Sequence, residues 1–406
     1  MPHPSDTVLG EVASGFEPVR DVFAWNLRRG GELGASLCVE RDGVRLVDIW
    51  GGWIDPERTR PWEVGTRSIL FSATKGLAAT AFFILSQREG LDHDRPIQDF
   101  WPEFRGGGKE SITIAHLLSH RTGFCSIDTP LSLEDLKNRE VICRALERQE
   151  CIWKPGTVQA YGAVTLGLIL PELFLRVTGE TVGRFFLSEV ALPLGSDARL
   201  GLPIEEQGDV SPVQPFGGFW DWLDILGHVL RPGTNDGRFF RGFLRPGSPS
   251  RKALGNPREL GKGYLENFNR PEVRAMEIAW AGGVASARGM ARFYSVLASG
   301  GSGQGVRLVD PEAIEKLYPR DSWEIDEVLR KSIGYTHGFV KEDELLFSPN
   351  TESFGHPGAG GTLGWADPVN RLGIGYVMNR MDHHLRSPRA IRLCHSIYSC
   401  LKKISI

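Results

Sequence analysis

Strand-forming runs lie at the two ends of this 406-residue chain and helical patterns fill its middle, so any single sheet must be assembled from segments far apart in sequence. Near the N-terminus, residues 34–40 and 44–51 are β-rich runs separated by Arg41-Asp42-Gly43, and Asp-Gly between two such runs specifies an antiparallel hairpin. Toward the C-terminus, strand signals return over 334–341, 362–366 and 372–378. Between these ends the apolar spacing predicts a short strand over 67–71 and helices over 72–88, 114–120, 133–148 and 162–177, with turns at Arg121-Thr122-Gly123 and Lys154-Pro155-Gly156. Further helices are predicted over 16–29, 285–298 and 388–400. The expected architecture is α+β: one antiparallel sheet built from both termini and flanked by helices, with a mostly helical domain inserted. This places a sheet domain in residues 1–75 and 281–406 and the insertion in 76–280. Within the insertion, residues 201–271 are irregular and rich in Pro, Gly, Phe and Trp, and such a segment is expected to cover a pocket.

Charge removes several function classes. With 47 basic and 50 acidic residues the formal net charge is −3, and the cations do not cluster, so there is no electrostatic case for nucleic acid or an anionic membrane. The apolar stretches around 77–85 and 165–175 are shorter than the ~20 residues that cross a bilayer. Met1 to Gly15 is polar and lacks the apolar run of a secretory signal. The six cysteines show no Cys-x-x-Cys spacing and read as buried thiols of a reducing compartment. These features lead us to expect a soluble, cytoplasmic protein; its oligomeric state is left open.

Chemistry concentrates in three segments. Ser72-Ala73-Thr74-Lys75 opens a helix after a strand; residues i and i+3 share a helix face, so Lys75 can reach the Ser72 hydroxyl, and burial would lower its pKa far enough to accept the serine proton. The same spacing recurs at Ser399-Cys400-Leu401-Lys402, but at the end of the last helix, where it reads as ordinary helix surface. Tyr161 sits at a loop-to-helix junction, and a nearby ammonium would help its hydroxyl ionise and serve as a base. Phe354 to Thr362 is a Gly-rich run entering a strand, whose backbone can approach a ligand closely.

Taken in this order, the segments resemble the serine β-lactamase and penicillin-binding-protein superfamily, in particular its class C β-lactamase-like esterase branch, the family VIII carboxylesterases. Ile114 to Gly123, Ala281 to Tyr294 and Gly373 to Asn379 are similar to other parts of that fold. The resemblance implies that Ser72 is acylated, that Lys75 and Tyr161 manage its proton, and that the N–H groups of Ser72 and Ala359 form the oxyanion hole. No metal or organic cofactor is implied, and Asp382-His383-His384 has no matching ligand set spaced around it in sequence. Two departures from β-lactamases narrow the substrate. Tyr161-Gly162-Ala163 stands where Tyr-x-Asn is usual, and His356-Pro357-Gly358 stands where Lys-Thr-Gly is usual. Without that lysine an uncharged small-molecule ester fits better than a carboxylate-bearing β-lactam. His356, Gly358, Phe219 and Trp220 are the expected substrate-binding residues, the last two from an aromatic segment over 216–240. Acyl transfer through the same acyl-enzyme is the alternative reading, with β-lactamase or D-aminopeptidase activity behind it. Retention of Ser72, Lys75 and Tyr161 together argues against a non-catalytic binding module.

Overall fold

A computed structural model describes residues 7–404, apart from 262 and 342. Its centre is a nine-stranded sheet. In chain order the strands are β1 (Leu9–Val12), β2 (Gly34–Arg41), β3 (Val44–Gly52), β4 (Ser322–Ile325), β5 (Ser332–Thr336), β6 (Phe339–Lys341), β7 (Phe354–Pro357), β8 (Leu363–Asp367) and β9 (Leu372–Met378). They are arranged β1-β3-β2-β9-β8-β7-β6-β5-β4, every neighbour antiparallel. The two ends of the chain meet where β2 pairs with β9, Val39 opposite Ile374 and Cys38 opposite Gly375. Asp42 and Gly43 both take positive φ (51° and 80°), the type I′ geometry whose twist matches the flanking strands, and Arg41 pairs with Val44. The strand expected over 334–341 is instead the hairpin β5–β6, turning at His337 and Gly338 with φ of 44° and 88°.

Helices that pack against this sheet or border the site include α1 (Glu17–Arg28), α2 (Thr74–Glu89), α3 (Phe219–Val229), α4 (Asn235–Leu244), α5 (Ala287–Ala298) and α6 (Pro388–Ile404). On one face of the sheet α1 and α6 pack together, burying Val19, Phe23, Leu393 and Ile397 with Leu37, Val39, Ile374 and Tyr376. On the other face lies α5. The residues of β8 and β9 that point toward it include Gly364, Gly373 and Gly375, and a Cβ on Gly375 would stand 2.2 Å from the Ala287 carbonyl oxygen. The helix backbone therefore rests directly on the strand backbone. Beyond this layer α2 is buried from Thr74 through Ser86 with no polar face, as a helix at the centre of a core must be, and Gly90 ends it in the left-handed conformation. No helix among the described residues is long and apolar enough to cross a membrane.

Residues 201–271 depart from the expected irregular cover: they contain α3, α4 and a short helix, Pro249–Ala253. In α3 the polar stripe of Asp221, Asp224 and His228 faces the molecule and Phe219, Trp220 and Leu226 are exposed, the reverse of the pattern that marks a core-facing helix. The strand expected over 67–71 contracts to Ser68–Ile69. The helix expected from 162 starts at Leu166, which leaves Tyr161 in a loop.

The tight seat of α5 gives a test. Gly375→Val should lower stability by about 1–3 kcal/mol or more through overpacking. It should appear as a lower urea midpoint with unchanged m-value; an unchanged midpoint would mean that α5 does not press on β9.

Candidate active site

Ser72 occupies a 3₁₀ turn, Phe71–Ala73, between Ser68–Ile69 and α2. Segments distant in sequence hold this turn. Ser68–Ile69 pairs with Val284–Ala285, the Leu70 N–H donates to the Gly283 carbonyl (2.8 Å), and the Gly283 N–H donates to Thr74 Oγ1 (2.9 Å). Phe71 takes φ 46°, a left-handed conformation that costs a non-glycine residue about 1–3 kcal/mol and persists only where packing enforces it. Its ring packs edge-on against Phe268, with centroids 5.3 Å apart. The conformation turns Ser72 to the mouth of α2, where first-turn N–H groups have no carbonyl one turn back.

Lys75 is wholly buried, and its ammonium group donates to the Trp280 carbonyl at 3.0 Å. Burial pulls its pKa down to about 7. Its Nζ lies 4.9 Å from the centroid of the Tyr161 ring. Tyr161 does not ionise more easily as expected: burial raises its pKa, an effect only partly opposed by its hydrogen bond with Ser72. Lys75 is thus a group that changes protonation near neutrality, and the Tyr161 hydroxyl is a protonated neighbour of Ser72. Tyr161 is held from both sides by His120, which sequence reasoning did not single out. The Gly162 N–H donates to His120 Nδ1 (3.0 Å) and the Ala160 N–H to the His120 carbonyl (2.9 Å). His120 is buried beside Lys75, and both circumstances keep its pKa well below the usual histidine value, so it supports Tyr161 as a neutral ring.

The third segment is a strand followed by a turn. β7 carries His356, and residues 358–361 lead back into β8. Gly358 must be glycine, because a Cβ there would lie 2.3 Å from the Leu70 carbonyl oxygen of the nucleophile turn. This contact sets Ala359 beside Ser72 at the edge of one pocket. His356 donates Nδ1–H to the Pro357 carbonyl (2.8 Å), which leaves Nε2 as a bare lone pair. Burial first, then Lys75, keeps its pKa well below the usual value, so it brings no charge.

Ser72, Tyr161, His356, Gly358 and Ala359 all line this pocket, and its apolar wall comes from Phe216, Phe239, Phe240 and Phe243. Phe219 and Trp220 do not line it: they lie on the outer face of α3, 68% and 78% exposed. The aromatic segment does supply the wall, but from the loop before α3 and from α4. The pocket also exposes a group that the sequence left unmarked, Arg386, which forms an ion pair with the wholly buried Asp343; Lys331 pairs with the same carboxylate. Nothing local marks Arg386 in sequence, since Asp343 lies 43 residues away. Ser399 and Lys402 sit exposed on α6, and the Ser399 hydroxyl donates to the His395 carbonyl, as an ordinary helix serine does.

Residues 19–395 match the Beta-lactamase family. This chain belongs to the β-lactamase family. Among curated relatives it is 29% identical over 361 residues to the esterase/β-lactamase LipL of Mycobacterium tuberculosis, covering 86% of this chain and 77% of that one. Among solved structures it resembles a family VIII carboxylesterase, with 33% identity and a TM-score of 0.84 over 97% of this chain and 100% of the other. A penicillin-binding-protein homologue from Caulobacter crescentus gives 30% identity and the same TM-score and coverage. The β-lactamase/transpeptidase-like fold expected from the sequence is therefore the observed one, and the chain is a serine hydrolase.

The state of Lys75 gives the pH dependence its sign. Only the neutral amine accepts a proton, and it predominates above about pH 7. kcat/KM should therefore fall as pH drops through about 7, since this ratio reports ionisations of the free enzyme. A profile that stays flat between about pH 6 and 8 would remove Lys75 as the base.

Proposed function

We propose that this protein hydrolyses uncharged carboxylic esters with an apolar acyl or alcohol group, through an acyl-enzyme on Ser72. One observation carries the reading: Ser72 and Tyr161 open into a phenylalanine-walled pocket in which Arg386 is already paired within the protein. Ester hydrolysis accords with the names of the relatives, an esterase/β-lactamase and a carboxylesterase.

In the first half-reaction the Ser72 proton passes through the Tyr161 hydroxyl toward neutral Lys75 while Oγ bonds to the ester carbonyl carbon. The resulting oxyanion is stabilised by the N–H groups of Ser72 and Ala359, aimed where charge develops. As the carbonyl re-forms, the C–O bond to the alcohol breaks and the alcohol departs with the proton held by Lys75. Water then attacks the acyl-enzyme by the reverse proton path and releases the acid.

The choice of an uncharged ester rests on three groups. His356 occupies the position of the lysine usual in β-lactamases and is neutral. Arg386 reaches the pocket but shares Asp343 with Lys331, and Glu344 stands 3.7 Å from Lys331, so two cations face two carboxylates. Ala163 has no amide to offer a substrate side chain.

Ser72→Ala should abolish both turnover of aryl esters and labelling by a fluorophosphonate, with the adduct in the wild type mapping to the peptide that contains Ser72. Tyr161→Phe should lower kcat by about 10²–10⁴-fold, the range of a positioned proton-transfer group; near-normal kcat would remove Tyr161 from the proton path. Nitrocefin should turn over orders of magnitude more slowly than an aryl butyrate. Comparable rates would overturn the substrate assignment while leaving Ser72 as the nucleophile.

A further inference from the structure

We propose that Asp224, His228, His383 and His384 form a site for one divalent transition-metal ion, best matched by zinc, that clips α3 to the rim of the active-site pocket. These four residues come from two places: Asp224 and His228, one turn apart on α3, and His383–His384 in the segment before α6. His383 and His384 alone suggested no ligand set because their partners lie more than 150 residues away, at sequence separations of 156 and 159.

Their donor atoms converge. His228 Nε2 and His384 Nε2 are 3.3 Å apart, and Asp224 Oδ2 lies 3.0 Å from His383 Nε2, 3.7 Å from His228 Nε2 and 3.8 Å from His384 Nε2. A tetrahedral zinc ion with bonds of ~2.0–2.2 Å holds its ligand atoms ~3.4 Å from one another, which is the middle of this range. Three imidazole nitrogens and one carboxylate oxygen suit zinc and its neighbours among the transition metals, and they suit calcium or magnesium poorly, since those ions favour oxygen.

A further contact has the form of a ligand support. His384 Nδ1 hydrogen-bonds Asp382 Oδ1 at 2.5 Å, which places the proton on Nδ1 and turns the Nε2 lone pair to the cluster. Asp382 is itself fixed by the Ser387 hydroxyl (3.0 Å) and by Arg389 (3.6 Å). The build of α3 agrees with a cation beneath it. This helix turns Asp221, Asp224 and His228 toward the rest of the molecule and leaves Phe219, Trp220 and Leu226 exposed, the reverse of a helix seated by apolar packing. A metal ion would add an attachment through its polar face to the buried Ile225 and the packing on α4. Four protein donors close a tetrahedron and leave no open position for a reactive water, so the ion acts on the position of α3 and hydrolysis stays with Ser72.

The site touches the chemistry directly, since His383 and His384 line the same pocket as Ser72, and also through a backbone bond. The Asp382 N–H donates to the Gly360 carbonyl (3.0 Å), in the turn that carries Ala359. Metal binding therefore restrains at once the α3 side of the pocket and the oxyanion turn.

Full-length protein stripped with a chelator and titrated with zinc sulfate should retain one equivalent per chain through gel filtration, and its unfolding temperature should rise. Cobalt(II) should give the intense visible bands of a tetrahedral centre. His228→Ala and Asp224→Ala should each weaken zinc binding by about tenfold or more, at least the loss seen when a ligand's supporting group is removed. Asp224 is half exposed, so Asp224→Ala tests the site even if His228→Ala fails to fold. A wild-type chain that retains no zinc, or one that binds it no better than folded Asp224→Ala, would overturn the proposal.

Discussion

An amine that can carry charge is buried at the centre of this protein without a carboxylate beside it, and the rest of the active site is arranged around that fact. Lys75 has one hydrogen-bond acceptor, the Trp280 carbonyl, and burial alone accounts for its lowered pKa. Leaving an ammonium unpaired in such a place costs more than losing its proton, so the group is held ready to accept one. The arrangement requires a helix with no wet face, which α2 is, and a nearby segment that supplies a carbonyl but no carboxylate. That segment, Trp280 to Gly283, is also the one that fixes the nucleophile turn through Gly283 and Val284. A close approach keeps it in place: Gly167 has no side chain because a Cβ there would meet the Trp280 backbone nitrogen at 2.5 Å.

The same desolvation that readies Lys75 divides the work between it and Tyr161. Both groups are buried, and burial disfavours the charged form of each, so it lowers the lysine pKa and raises the tyrosine pKa. Near pH 7 the pair is thus a neutral phenol beside an amine close to the midpoint of its titration. Histidines on either side obey the same rule. His120 and His356 are both depressed by burial and by proximity to Lys75, and among the described residues that line the pocket the arginine, Arg386, is bound to Asp343. On the mechanism proposed above, such a site suits charge that appears only during the reaction, on the oxyanion and on Lys75, rather than a charge the substrate brings with it.

A physical division separates what the sequence revealed from what it concealed. Features set by neighbours in the chain were legible: the Asp42-Gly43 hairpin, the Gly90 stop of α2, and the strand patterns at both ends whose pairing β2–β9 closes the sheet. Ser72, Lys75, Tyr161 and His356 could be picked out because each sits in an ordered local segment, although the meeting of Ser72, Tyr161 and His356 in one pocket, with Lys75 buried beside Tyr161, belongs to the fold. Features set by contacts across the fold were not. His120 supports Tyr161 from 41 residues before it through two backbone-directed hydrogen bonds, and no local pattern distinguishes such a histidine. Phe219 and Trp220 illustrate the opposite error. Composition marked their segment as pocket-forming, and it is, but composition carries no phase, and these two side chains fall on the outer face of α3 while Phe239, Phe240 and Phe243 fall inward.

The helix that carries those exposed rings also shows why pocket and rim should be considered together. α3 begins three residues after Phe216, a pocket residue, and α4 brings the other phenylalanines, so any displacement of α3 shifts one side of the acyl or alcohol site. A helix normally holds its place by burying an apolar stripe, and Ile225 is the buried member of α3. Besides packing on α4 and the Val229 carbonyl that accepts from Arg241, its inward contacts include carboxylates and imidazoles, whose mutual attraction is weakened by solvent. Such a helix is held in part by polar groups, so an ion bound as proposed would set its position, and with it that of the neighbouring Phe216 and α4, which line the pocket. The nucleophile turn stands in contrast. Glycine contacts, a strained Phe71 and a strand pair fix it from three sides, so binding at the rim can reshape the pocket without disturbing Ser72.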